Sequence, residues 1–314
     1  MSYKHTIAFY NIENLFDTKD DVYTDDDDFL PKGKKRWTLK RYKKKIKKLG
    51  RVISQIGDED SNFPPAFVGL AEVENRQVVE DLINGKHLRN YNYNLVHYDS
   101  SDERGIDVAL IYNQDVFNVT HSETFSVYLE KENGQQDFTR DILLVTGKLN
   151  DEQIHVIINH WSSRREGVEA TEYKRLAAAD KVNQIILDLK ETQSDPKIIV
   201  MGDFNDTAQN NSLLSLENSS QLYNPFKLID VSTKGSLTHF SEWFVFDQIL
   251  FSNSFFDSKS TKLNFIKADV FNSKFLTQYR GKYVGQPFRT YVGLKYKGGY
   301  SDHFPVYIIL KEDA

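Results

Sequence analysis

Short apolar runs recur along the chain and predict buried β-strands. They cover residues 7–10, 66–70, 106–112, 142–145, 154–158, 197–201, 246–251 and 306–310. Two longer segments, at 39–56 and 169–190, repeat apolar residues in steps of three and four. That spacing is typical of amphipathic helices. Helices that alternate with mostly apolar strands predict a layered α/β fold.

The chain shows no internal repeat and no long linker, so a single domain over 1–314 is expected. Residues 256–299 are rich in Gly, Tyr, Lys and Asn and have little periodicity. We interpret this region as long loops with short elements, and such loops often contact substrate. A monomer is expected.

Charge and composition exclude several kinds of protein. The formal net charge is −5, which gives no basic excess for bulk attraction to nucleic acid. No cysteine is present, so disulfides, thiolate metal sites and cysteine nucleophiles are excluded. No apolar run reaches the length of a membrane span, so stable membrane insertion is not expected. The start, Met1 to His5, lacks a signal-peptide core, which leaves a cytoplasmic location or export after signal removal open.

The helical segment at 39–56 is strongly basic on its outer face. One interpretation is an ordinary solvated face. The other is an electrostatic surface for an anionic polymer. The pattern alone leaves both open, although the solvated face is the more common case.

Polar side chains cluster at the ends of the predicted strands. They are Asn11, Glu72, Asn159, His160, Asp203, Asn205, Asp302 and His303. Strand ends on one side of an α/β sheet share a rim, where sites are usually built. A thiol-free set rich in oxygen suits Mg²⁺ or Mn²⁺. Such a metal can polarise a phosphoryl oxygen and neutralise developing charge.

Five motifs around these residues resemble those of the endonuclease/exonuclease/phosphatase superfamily, in its bacterial, DNase I-like form. They are Phe9-Tyr10-Asn11-Ile12-Glu13-Asn14-Leu15-Phe16, Val68-Gly69-Leu70-Ala71-Glu72, Ile158-Asn159-His160-Trp161, Gly202-Asp203-Phe204-Asn205 and Ser301-Asp302-His303-Phe304-Pro305-Val306. Ala71 departs from the family pattern, which has Gln there. Each motif alone is weak, but all five stand in family order across nearly the whole chain.

The resemblance implies a four-layer α/β sandwich, with two packed β-sheets flanked by helices. It also implies in-line attack of water on a phosphate ester with the help of Mg²⁺ or Mn²⁺. By the same resemblance Glu72 would bind the metal, Asn11 would hold the metal or its water, and Asp302 is a second candidate ligand.

The remaining roles are carried over in the same way. Asp203 would orient or deprotonate the attacking water, and Asn205 would support the phosphate oxygens. His303 would contact the scissile phosphate and Asp247 would orient it. His160 would donate to the phosphate or protonate the leaving group, as a histidine near neutral pKa can.

Four arginines are candidates for phosphate contacts, because a guanidinium offers a fork of donors that fits phosphate. Arg140 stands where nucleases of this family place such an arginine. Arg164 and Arg165 follow the histidine motif, and Arg289 is a further candidate. For each, a surface residue is equally compatible with the sequence. Two nearby acids are given structural interpretations: Glu74 as a solvated neighbour of Glu72, and Asp206 as a helix cap.

Three functions remain to be weighed. The first is a nuclease, specifically an endonuclease, acting on nucleic acid. The second is a phosphatase or phospholipase-type enzyme on inositol phosphates or sphingomyelin. The third is a non-catalytic binding protein, which is disfavoured because Glu72, Asp203 and His303 are all present. A histidine-rich zinc hydrolase and a serine hydrolase are also disfavoured, because neither His-Glu-x-x-His nor Gly-x-Ser-x-Gly occurs.

Overall fold

Four α-helices are distributed among the strands of the described residues. The computed structural model describes residues 3–131, 133–256 and 262–312. The strands are β1 (Tyr3–Leu15), β2 (Phe67–Val73), β3 (Tyr93–His97), β4 (Asp107–Asn113), β5 (Phe117–Phe125), β6 (Leu129–Glu130), β7 (Gln136–Asp137), β8 (Ile142–Leu149), β9 (Glu152–His160), β10 (Ile198–Asp203), β11 (Leu222–Tyr223), β12 (Leu237–His239), β13 (Glu242–Phe244), β14 (Asp247–Ser252), β15 (Leu263–Val270), β16 (Tyr291–Val292), β17 (Lys295–Tyr296) and β18 (Val306–Glu312). The α-helices are α1 (Leu39–Ile53), α2 (Arg76–Ile83), α3 (Glu172–Thr192) and α4 (Asn211–Ser220). Strands follow one another without an intervening α-helix in two stretches, from β3 to β9 and from β11 to β18.

Most of the strands form two six-stranded mixed sheets. The first has the order β15-β18-β1-β2-β4-β3, and the second has the order β11-β14-β10-β9-β8-β5. Each sheet has one parallel pair near its centre, β1 with β2 and β9 with β10. These four strands carry Asn11, Glu72, Asn159, His160 and Asp203 towards their carboxyl ends, while Asn205 follows β10 and Asp302 and His303 precede β18.

The two sheets pack face to face, with α1 and α2 outside the first and α3 and α4 outside the second. Strand β10 shows how one apolar run serves two layers. Ile199 and Met201 belong to the core between the sheets, while Ile198 and Val200 pack with the core under α3 and α4. Alternation of side chains along a strand produces this division. The four-layer α/β sandwich expected from the family resemblance is therefore confirmed.

The sheets approach each other closely at Gly69 in β2. A Cβ atom at this position would lie 2.6 Å from Sδ of Met201, on the facing sheet. Glycine therefore lets the two central strand pairs meet, which brings the ends of β2 and β10 to one site.

Several elements differ from the sequence prediction. Strand β15, an edge strand in which charged Lys267 and Asp269 interrupt the apolar pattern, lies where only loops with short elements were expected. That part of the prediction is wrong, because an edge strand is only half-buried. Residues 257–261 of this region, residue 132, and residues 1–2 and 313–314 of the expected domain lie outside the described residues.

Helix α1 buries Tyr42, Ile46, Leu49 and Ile53, as its spacing predicted. It also buries Lys45, which the amphipathic pattern placed with the charged face. In the part of the chain that the structure describes, no helix is long and apolar enough to cross a membrane.

Candidate phosphoesterase site

The neighbouring strands β1 and β2 both have an irregular backbone near their carboxyl ends. The pairing of β1 with β2 shifts register beyond Asn11, where Glu13 and Asn14 have φ of 53° and 52°. On β2, Glu72 has φ of 65° at the shift in its pairing with β4. Left-handed conformations of non-glycine residues cost about 1–3 kcal/mol each and concentrate at functional sites. The paired bulges turn Glu72 so that its Oε2 accepts the Asn14 N–H at 2.8 Å.

Asp203, the last residue of β10, lies at the centre of the site. Its Oδ2 accepts Nδ2 of Asn11 at 3.0 Å, and its Oδ1 accepts the N–H of Asn205 at 3.0 Å. The ring atoms His160 Nε2 and His303 Nε2 lie 3.8 Å and 3.9 Å from Oδ2. Burial and the nearby Asp247 raise the pKa of Asp203 to about 7, against the opposing effect of His303. A carboxylate with this pKa can take up a proton near neutral pH.

His303 and Asp247 form a buried pair next to Asp203. Nδ1 of His303 lies 2.7 Å from Oδ2 of Asp247. Asp247 is the direct antiparallel partner of Asp203 in the pairing of β14 with β10. Although burial opposes it, the two carboxylates raise the pKa of His303 well above its usual value. The ring is therefore held as an imidazolium with Nε2 facing the cleft.

His160, at the end of β9, has the opposite electrostatic setting. Burial, followed by the charges of Arg140 and Arg104, lowers its pKa well below the usual value. Its Nε2 lies 3.9 Å from Oε1 of Glu72, and its Nδ1 has no hydrogen-bond partner among the described residues. The site thus sets a neutral imidazole beside a charged one.

Asp302 and Asn11 complete the expected set. Oδ2 of Asp302 accepts Nη2 of Arg289 at 2.5 Å. Although burial opposes it, His303 and Arg289 lower the pKa of Asp302. Oδ1 of Asn11 accepts the N–H of Glu13 at 3.0 Å, so both ends of this buried amide are engaged. Asn11 lies beneath the cleft rather than on its surface.

The candidate arginines are held in different ways. Arg140 donates to Oδ2 of Asp102 at 3.0 Å and to the carbonyl of Trp161 at 2.9 Å, and it lines the cleft. Arg164 donates to the carbonyl of Asn205, to Asp206 and to Asn210, so it braces the turn after β10. Arg165 is exposed and lines the cleft. The Asn205 amide donates to the carbonyl of Trp161 at 3.0 Å.

Two structural interpretations from the sequence are wrong. Glu74 is not solvated: it is 9% exposed and its Oε2 accepts the Asp17 N–H at 2.5 Å. Asp206 does not cap a helix, since α4 begins at Asn211 after Asn210. Its carboxylate instead binds guanidinium groups, including that of Arg175.

The site residues lie at the base of a cleft of about 1020 Å³. Glu72, His160, Asp203, Asn205, Asp302 and His303 line it together. Cationic side chains contribute from several sides: Arg104, Arg140, Arg164, Arg165, Lys174, Lys282 and Arg289. The cleft is much larger than a phosphate group needs, and its lining suits an anionic ligand.

The sequence matches the model of the Endonuclease/Exonuclease/phosphatase family over residues 6–312. The chain belongs to this family. Members of the family hydrolyse phosphoester bonds, and the chain is accordingly a phosphoester hydrolase. A search of curated protein sequences found no match.

Solved structures of this family share the fold at low identity. An endonuclease/exonuclease/phosphatase family protein from Bacteroides thetaiotaomicron has a TM-score of 0.60 at 17% identity, covering 100% of this chain and 96% of that one. Truncated TDP2 from Caenorhabditis elegans has 0.60 at 12%, covering 98% of each chain. The mannosyl-6-phosphatase of Bacteroides thetaiotaomicron VPI-5482 has 0.57 at 18%, covering 98% and 99%. Identities this low establish the common fold alone.

Members of this family typically use a divalent metal, and the donors present here fit one. Glu72 and Asp302 both line the cleft, and both carboxylates act to raise the pKa of Arg289 against the effect of burial. Carboxylate oxygens that face a cleft are the ligands that a hard divalent cation prefers. Asp203, Asp247 and His303 also bring ligand atoms within 4.8 Å of one another. In that second group Nδ1 of His303 and Oδ2 of Asp247 already contact each other at 2.7 Å.

Three residues around the site were missed in the sequence. Glu13 and Lys45 are buried below Asp302, and Arg104 donates to Oδ1 of Asn14 at 2.6 Å. Glu13 lies within the first family motif, which was a usable signal. Lys45 and Arg104 carry no motif, and only the tertiary structure brings them to this site.

Proposed function

We propose that this chain is a Mg²⁺-dependent nuclease that cleaves phosphodiester bonds by attack of water. The observation that carries the proposal is the convergence of Asp203, His303 and His160 at the base of a cleft lined by cationic side chains. A carboxyl with a pKa near 7 and an imidazole whose pKa is raised by two carboxylates supply a proton acceptor and an electrostatic donor side by side.

The metal would be held by Glu72 and Asp302, with Asn11 beneath them. When bound, it would neutralise phosphate charge and polarise a phosphoryl oxygen. Asp203 would accept the proton of the attacking water at Oδ2. Asn11 and the Asn205 N–H orient this carboxylate by their hydrogen bonds.

The two histidines would act on the phosphate from opposite protonation states. His303, held by Asp247 at Nδ1, would donate from Nε2 to a phosphoryl oxygen. His160, as a neutral ring, would donate a hydrogen bond to the phosphate or to the leaving oxygen. Arg140 and Arg165 would bind the flanking phosphates, while Arg164 would keep Asn205 in place.

The test is nicking of supercoiled plasmid in the presence of Mg²⁺. We expect nicking by the wild type, none with EDTA, and a loss of at least about 100-fold in Asp203→Asn and in His303→Ala, since each removes a proton-transfer or charge-stabilising group. Circular dichroism melting would establish that both variants fold.

Full activity in either folded variant would refute the role given to that residue. If the folded wild type cleaves neither plasmid nor single-stranded DNA, the nuclease is refuted and small phosphate esters or lipid head groups become the substrates to test. Inositol phosphates and sphingomyelin would then be assayed in the same buffer.

A further inference from the structure

A β-hairpin with an aromatic tip projects over the cleft. It pairs β12 with β13, and its two-residue tip is Phe240 and Ser241. Phe240 is 90% exposed, and it lines the cleft. The tip residues have φ of 48° and 70°, a turn that usually selects Asn and Gly. An exposed aromatic ring is unfavourable, and so is a left-handed backbone conformation at a bulky residue. The combination of the two at Phe240 indicates a function for the ring.

The hairpin is joined directly to the catalytic pair. Leu237 at its start forms a backbone bridge with His303. The neighbouring Ser236 carbonyl accepts the N–H of Phe304 at 2.6 Å, and its Oγ accepts the N–H of Asp247 at 3.2 Å. Phe240 lies three residues beyond Leu237, which is at most about 10 Å of extended chain from the residue that pairs with His303. Phe240 and His303 line the same cleft, so a ligand that extends from the scissile phosphate along the cleft can contact the ring.

A second turn lines the same part of the cleft. The N–H of Gln278 donates to the carbonyl of Gln286 at 2.8 Å and closes the turn that carries Tyr283, whose ring is 47% exposed. Oγ1 of Thr238 donates to Oε1 of Gln286 at 3.2 Å, which links the turn to the hairpin. The Gln286 amide nitrogen remains a donor for a ligand.

We infer that the tip of this hairpin and the linked turn form a subsite for the nucleobase beside the scissile phosphate, with the Phe240 ring stacked on the base. The inference rests on the proposed function and specifies its substrate as an unstacked, single-stranded nucleotide. Aromatic side chains stack on bases of any sequence, and an amide can bind a base edge.

A sugar is the principal competing occupant, since aromatic rings also pack on sugars. Sugar hydroxyls need free carboxylates or amides as acceptors. The carboxylate of Asp137 accepts Nζ of Lys174 at 2.7 Å, and Glu166 lies 3.8 Å from the same nitrogen. Asp137 and Glu166, the acids that line the cleft away from the strand ends, are thus each paired with a cation, which favours the base.

The experiment uses a short single-stranded oligothymidylate and the same strand with one internal nucleotide lacking its base. Cleavage at each bond is measured for the wild type and for Phe240→Ala, Phe240→Leu and Phe240→Trp. Tyr23→Ala is the matched control, because Tyr23 is also 92% exposed but does not line the cleft.

We expect the wild type to cleave at least roughly tenfold more slowly at a bond beside the missing base, in keeping with the stacking contribution of one base. Phe240→Ala and Phe240→Leu would slow cleavage beside intact bases by a similar factor and leave the bond beside the missing base unchanged. Phe240→Trp and Tyr23→Ala would retain the wild-type pattern.

Equal cleavage with and without the base, or an equal loss at all bonds in Phe240→Ala, would overturn the subsite while leaving the nuclease intact. Phe240-dependent hydrolysis of mannose 6-phosphate without base preference would overturn it in favour of a sugar. A wild type that nicks plasmid but cleaves no oligonucleotide would overturn the subsite alone, whereas one inactive on both would overturn the proposed function and the subsite with it.

Discussion

At the scale of the residue, burial shifts the pKa values of the titratable groups in the site. Asp203 and His303 are both buried, yet their pKa values rise for different reasons: burial dominates for the acid, and two carboxylates dominate over burial for the histidine. Burial lowers the pKa of His160, and nearby cations lower it further. Each residue type was predictable from its motif, but its charge state depends on neighbours from other strands.

Glu74 offers a pH test at this scale. Burial and neighbouring acids raise its pKa from 4.5 to about 8. Its neutral form therefore favours folding fully below about pH 4.5, and this contribution is lost as pH rises through about 8. We expect the melting temperature of Glu74→Gln in EDTA to exceed that of the wild type increasingly from pH 5 to 9. A constant difference across this range would contradict the assignment.

At the scale of the element, α1 contributes a buried lysine to the site's foundation. Lys45 donates to Oγ1 of Thr290 at 2.5 Å, to the carbonyl of Tyr300 at 2.6 Å and to the carbonyl of Glu13 at 3.2 Å. The Glu13 carboxylate accepts the N–H of Thr290 at 2.5 Å. These hydrogen bonds connect α1, the bulge of β1 at Glu13 and the segment before Asp302.

Removal of this lysine should be costly. We expect Lys45→Met to lower the free energy of unfolding by about 3–5 kcal/mol, because Glu13 would be left buried without its cation. The double variant Glu13→Gln/Lys45→Met should recover part of the loss. Chemical denaturation measures both, and a Lys45→Met variant as stable as the wild type would show that the pair is not needed.

At the scale of the whole molecule, the basic outer face of α1 is separate from the cationic lining of the cleft. Lys40, Lys43, Lys44 and Lys47 on α1 are exposed, but none of them lines the cleft that the described residues form. Other cations of this region contact rings instead: Arg41 lies 4.3 Å from the Tyr296 ring, and Arg51 lies 4.5 Å from the Phe275 ring. The solvated-face interpretation is favoured over an electrostatic surface for substrate.

This separation predicts different salt responses. Replacing the four exposed lysines of α1 by glutamine should leave oligonucleotide affinity within about twofold and its salt dependence unchanged. Arg165→Gln should reduce the slope of log affinity against log salt by about one, as expected for one lost phosphate contact. A reduced slope in the lysine variant would restore α1 as a substrate surface.

The sequence by itself determined the layered α/β fold, since buried strands and amphipathic helices imprint their periods on any chain that forms them. It also indicated the polar residues at the strand ends, because five motifs keep their order. Only the tertiary structure decided that Arg164 braces a turn, that Glu74 and Lys45 are buried, and that Phe240 lines the same cleft as His303. These features depend on contacts between residues that are far apart in the chain. A local sequence pattern does not indicate which distant group will neutralise a charge or whether a ring will be exposed.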